Sequence, residues 1–149
     1  MTEIRFYHLQ KQTLDQALPQ ILEKAVSANH KIVTRLMDTK EVERMNALLW
    51  TYKPDVFLPH GSEKNGNAAQ QPIWLTHKPE NPNSANLLVL TQNVEADDID
   101  EFDLCCEILD GHNDNAIKAA RKRWKEYQAA GHDVTYWHQN DSGRWEKKA

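Results

Sequence analysis

EIRFYHLQKQTLDQALPQILEKAVSANHKIVTRLM, residues 3–37, decides the fold. In its first seven residues Ile4, Phe6 and His8 alternate with Arg5, Tyr7 and Leu9, which is the period of a β-strand. From Thr13 to Asn29 the period becomes helical, with Thr13 as N-cap and Leu14, Leu18, Ile21, Leu22, Ala25 and Val26 on one face. Pro19 removes a backbone donor inside this pattern, so the helix is expected to kink there or to begin nearer residue 17. Lys31–Met37, KIVTRLM, reads as a second strand.

Outward from this unit, Asp38 or Thr39 caps a second helix that runs to about Trp50, with Val42, Met45, Leu48 and Leu49 as its apolar stripe. Strand, helix, strand, helix implies a parallel sheet with right-handed crossovers. Residues 51–72 read as irregular, Ile73–Thr76 as a short strand and 77–85 as a polar loop. Asn86–Thr91 holds LLVL, the continuous apolar run of a central buried strand. An acidic loop with a short turn, residues 95–103, precedes a strand at Leu104–Leu109. A helix from Asn115 to Ala130 ends at Gly131, placed for a C′ residue, and Val134–His138 is a last strand before a tail. The expected architecture is a single α/β domain over residues 1–149: three layers, α/β/α, with one mostly parallel central sheet flanked by helices.

At 149 residues, 40% hydrophobic and 27% charged, the composition is that of a globular protein. No apolar run approaches the ~18 residues of a membrane span. The start, MTEIRFYHLQ, lacks the build of a signal peptide, so a cytoplasmic location with no membrane partner is expected. Cys105 and Cys106 are adjacent and point to opposite faces of a strand, which predicts two free thiols, one buried and one half-buried. The net charge of −4 is unevenly spread: residues 95–114 carry nine acids and no base, while 115–149 carry eight bases and four acids. General nucleic-acid binding is not expected of such a chain; its basic face is local.

The first strand–helix junction, residues 8–13, contains no glycine, and no Walker A loop occurs, so neither usual mode of nucleotide binding fits. The seven histidines and two cysteines show no metal-ligand spacing, and neither metal nor cofactor is expected. The acids of 95–103 lack an EF-hand pattern and read as a solvated face. His60, in LPHG, is a candidate base for a small α/β enzyme, against the plainer reading of a loop histidine bonded to backbone. No nucleophile elbow is present, and no catalytic activity is expected.

The helix NAIKAARKRWKEYQAA carries the binding chemistry. Ile117, Ala120, Trp124 and Tyr127 share a side expected to be buried, and Lys118, Arg121, Lys122 and Lys125 adjoin it. Arg121 and Trp124, three residues apart, are surface neighbours, a clasp for an acidic ligand with an apolar end. Trp50 and Phe57, at a helix end and in a proline-containing loop, either pack under that loop or form a protein-binding patch. The alternative is direct binding of single-stranded nucleic acid by the basic helix with Trp124 or Trp137 as stacking surfaces.

FYHL at 6–9, ALLW ending at Trp50, FLPHG at 57–61 and RWKEYQAAG at 123–131, in this order and spacing, resemble the chi subunit of bacterial DNA polymerase III holoenzyme, a clamp-loader accessory. The resemblance implies an α/β/α fold and a non-catalytic subunit of a DNA polymerase complex. It also implies an adaptor that grips the acidic, phenylalanine-ended C-terminal tail of single-stranded-DNA-binding protein, so that DNA is contacted mainly indirectly. The family's tail site falls on Arg121, Trp124 and Lys125, with tryptophan in place of tyrosine at 124; Lys118 is one residue offset from a further lysine of that site. The family's second interface, to the psi subunit or a repair helicase, falls on Trp50 and Phe57.

Overall fold

A computed structural model describes residues 1–52 and 58–148. The strands are β1 (Glu3–Leu9), β2 (Ile32–Arg35), β3 (Gly61–Ser62), β4 (Ile73–Thr76), β5 (Leu87–Thr91), β6 (Leu104–Asp110), β7 (Asp133–Gln139) and β8 (Trp145–Lys147). The helices are α1 (Leu14–Ser27), α2 (Thr39–Trp50) and α3 (Asp114–Ala129), with single 3-10 turns at Ala68–Gln70 and Ile99–Glu101. All eight strands form one sheet in the order β3-β4-β2-β5-β6-β1-β7-β8. Every pairing is parallel except that of β7 with β8. The expected mostly parallel, helix-flanked sheet is therefore present.

Two cores explain the layering. On one face Leu18 and Leu22 of α1 and Val42, Met45 and Leu49 of α2 pack against Ile32, Ile73, Leu75, Leu87, Val89, Cys106 and Ile108. On the other face Ala120 of α3, with Ile99 and Phe102 of the acidic loop, packs against Ile4, Phe6, Val33, Leu88, Leu90 and Cys105. The LLVL run is buried on both sides because each face of β5 has its own cover. The same double cover buries both cysteines, so the expectation of one half-buried thiol is corrected. Burial pushes the Cys106 thiol up to about 12 and raises that of Cys105 as well.

Local chemistry sets the ends of the elements. Thr13 accepts from the Gln16 backbone N–H while the Gln16 side chain accepts from that of Thr13, a capping box that fixes the start of α1 ahead of Pro19. Pro19 is then accommodated inside the helix, buried, rather than delaying its start to residue 17; only the carbonyl of Asp15 loses its helical donor. Asp38 caps α2 and Asn113 caps α3. At the other end of α3, Gly131 has φ +90°, and the N–H of His132 reaches the Tyr127 carbonyl at 3.1 Å. This Schellman closure turns the chain straight into β7.

Some parts depart from expectation. The stretch 51–72 contains β3 and a 3-10 turn, and the tail forms β8 through a turn tied by Asn140. The acidic loop is not wholly solvated: Asp98 makes a two-pronged ion pair with buried Arg35 at 2.6 and 2.7 Å, which holds its carboxyl below the usual range.

Candidate functional site

β1 and β7 lie side by side, with Phe6 opposite Tyr136, Tyr7 opposite Trp137 and His8 opposite His138. The pleat sends Phe6, Tyr136, His8 and His138 towards α3 and sends Tyr7 and Trp137 the other way. Across the first set lies a groove of about 600 Å³, bordered on the helix by Ile117, Ala120, Arg121, Trp124 and Lys125.

Trp124 forms one wall. It is half-buried, with its ring 5.7 Å from that of Phe6 and 6.1 Å, edge-on, from that of Tyr136. Aromatic pairs of this kind are worth roughly 0.5–1.5 kcal/mol beyond their area, so the indole is held while part of it stays open to solvent. Arg121 and Lys125, one helical turn apart, are both exposed at the rim. Burial raises the pKa of Tyr136 and the nearby Arg121 guanidinium works against it. His8 is held below the ordinary imidazole value by burial and by His138, and His138 by burial and Lys148. The floor is thus uncharged near neutral pH, leaving the charge to the rim.

The helix is fastened beneath this groove by a network that helical spacing alone does not reveal. Arg123 donates to both oxygens of Glu107 on β6, at 2.9 and 3.2 Å, and to Asn93 at 3.0 Å. Tyr127 donates to the same carboxylate at 2.5 Å. Arg123 and Glu107 are both buried. Burial pushes the Glu107 carboxyl up, while Arg123 and Tyr127 oppose that by stabilising its charge.

Of the expected site residues, Arg121, Trp124 and Lys125 come together at the groove, whereas Lys118 is exposed and does not line it. Ile117, Trp124 and Tyr127 are half-buried rather than sealed, and Ala116, Ala120 and Arg123 are the buried residues of the helix. Trp137 faces away from α3, so the basic helix and Trp137 do not share one stacking surface. Phe57 lies outside the described residues. Trp50 is 53% exposed, its ring 4.8 Å from that of His60. His60 is buried with Nδ1 2.7 Å from the Leu58 carbonyl and Nε2 3.2 Å from that of Asn46, the backbone-bonded role rather than that of a base. Phe6, His8, Tyr136 and His138 were missed as site residues; the signal was the matching FYH and YWH at 6–8 and 136–138.

A family model described as DNA polymerase III chi subunit, HolC, matches residues 1–135. The chain belongs to the DNA polymerase III chi subunit family. A relative from Rickettsia prowazekii (strain Madrid E), "Probable DNA polymerase III subunit chi", is 36% identical over 90 residues, covering 60% of this chain and 54% of the relative. The chain thus spans about half the length of that relative. Chi is an accessory subunit of the replicative polymerase, and among the described residues of this chi-family chain no helix is long and apolar enough to cross a membrane.

Proposed function

We propose that the groove between α3 and the β1–β7 pair holds the acidic C-terminal tail of single-stranded-DNA-binding protein. The chain then acts as an adaptor between that protein and a second partner. The observation that carries this reading is the juxtaposition of Arg121 and Lys125 with a half-open aromatic wall, Trp124, above an uncharged floor. Arg121 is a two-pronged donor for aspartates or the terminal carboxylate, and Lys125 adds a point charge one turn away. A terminal phenylalanine finds Trp124, Phe6 and Tyr136 as edge and face partners. Simple exposed ion pairs give only ~0–1 kcal/mol each and the two-pronged bonds of Arg121 to a carboxylate roughly 1.5–3 kcal/mol, so affinity on the order of a micromolar that weakens with salt is expected. Several tails on one coated strand raise it through avidity.

The second partner, a psi subunit or a repair helicase, is assigned to Trp50 with Phe57. An exposed indole at a helix end is an effective interface anchor, and among the described residues Trp50 is the most exposed large aromatic, at 53%. Calorimetry with an acidic, phenylalanine-ended peptide tests the tail site. Arg121→Ala and Trp124→Ala each abolish detectable binding with unchanged circular dichroism, while Trp50→Ala binds the peptide normally and loses the second partner. Full peptide binding by both groove variants rejects the site.

A further inference from the structure

The other side of the β1–β7 pair carries a second groove, of about 640 Å³. It exists because α1 and α2 cover the middle of the sheet, and β1, β7 and β8 extend past the edge of α1. Its floor is aromatic. Tyr7 and Trp137 are stacked neighbours with centroids 6.3 Å apart at 29°, and Trp145 of β8 meets Tyr7 edge-on at 4.8 Å. The Arg5 guanidinium stands 5.6 Å over the Trp137 ring, a cation–π contact. Lys24 on α1 and Arg144 on the turn before β8 are exposed at its borders. Among the described residues lining this groove there is no aspartate or glutamate. Arg5 is paired at 2.5 Å with Glu3, which lies outside the lining.

We infer that this groove binds single-stranded DNA. Aromatic faces in a cationic groove suit bases and phosphates together. Stacking of this kind is worth roughly 1–3 kcal/mol per base and tolerates any sequence. Rings and cations dominate the surface while few groups are placed to read base edges, so recognition without sequence preference is expected. The overall charge of −4 is no obstacle, because none of the nine acids at 95–114 lines the groove. An acidic peptide would satisfy the cations and leave the row of three rings largely unused. Membership in a DNA polymerase subunit family favours DNA over RNA. This site is separate from the α3 groove, lying across the sheet from it, and holds whether or not that groove takes a protein tail.

The test is fluorescence anisotropy of a dye-labelled oligothymidylate of about 15 nucleotides at low salt. Binding is expected, with log affinity falling against log salt at a slope of about −2 for three cations. Lys24→Glu combined with Arg144→Glu, both at exposed positions, is expected to weaken binding roughly tenfold or more with unchanged circular dichroism. Trp137→Leu weakens it too, and Arg121→Ala leaves it unchanged. Wild-type binding by the Lys24→Glu/Arg144→Glu variant, or no binding by the intact chain, overturns the inference. So does loss of DNA binding in Arg121→Ala, which would move the DNA to the α3 groove. Tighter binding of oligouridylate, or displacement of the oligonucleotide by an acidic peptide that still binds Arg121→Ala, overturns the choice of ligand.

Discussion

The two grooves share a floor plan and differ in what holds them. Both are laid on β1 and β7, where FYH lies in register with YWH. Residues 6, 8, 136 and 138 floor one groove; residues 7 and 137 floor the other. The α3 groove is backed by a buried ion-pair network and a neutral histidine–tyrosine floor, with its cations on a single helix. The α1-side groove draws its cations from a strand, a helix and a turn, and the ion pair of its Arg5 with Glu3 is partly exposed. A period-2 strand can therefore present two unrelated chemistries, provided that different elements supply the walls.

The difference is sharpest in stability. Arg123→Ala leaves Glu107 buried without its cation, which is expected to cost about 3–5 kcal/mol and to lower the melting temperature by roughly 10 °C, read by thermal denaturation. Glu3→Gln, at the matching pair of the other groove, is expected to change stability by less than about 1 kcal/mol. Next in size is Gly111→Ala. A Cβ there would stand 2.2 Å from the His8 ring and 2.3 Å from the Leu9 carbonyl. Overpacking of this kind costs typically 1–3 kcal/mol, seen in urea unfolding, and it disturbs the α3 groove rather than its counterpart.

A smaller effect is pH-dependent. His8 is depressed by burial and by the neighbouring His138, so near pH 6 the unfolded chain binds more protons there than the folded one. Stability attributable to His8 is therefore complete above the unfolded value of about 6.5 and is lost as pH falls from there through the folded value. Melting curves at about pH 7.5 and 5.5 should show a larger acid-induced drop for the wild type than for His8→Gln. Smallest of all, Glu3→Gln releases Arg5 from its partner and is expected to tighten oligothymidylate binding by about two-fold, since one surface ion pair is at stake. Anisotropy reads that change, and peptide binding at the α3 groove should not follow it.

Much of this was legible in the residues. The changes of period along 3–50 gave strand, helix, strand and helix, and Gly131 marked the turn out of α3. Arg121, Trp124 and Lys125 were legible as neighbours because helical spacing alone puts them side by side. Arg123 was hidden among similar cations in ARKRWK. The clue was phase: Ala116, Ala120, Arg123 and Tyr127 form one stripe, and the alanines leave room for a guanidinium to reach Glu107. Strand β8 is three residues whose pairing depends on the Asn140 turn, a contact that no periodicity announces. The double character of β1 and β7 required the register between segments 130 residues apart, which a single strand's alternation does not contain.

The most direct measurement is calorimetric titration of an acidic, phenylalanine-ended peptide into three proteins: the intact chain, Arg121→Ala and Arg144→Glu. Binding on the order of a micromolar by the intact chain and by Arg144→Glu, with none by Arg121→Ala, is the expected result. Equal binding by Arg121→Ala and the intact chain would contradict the assignment of the α3 groove.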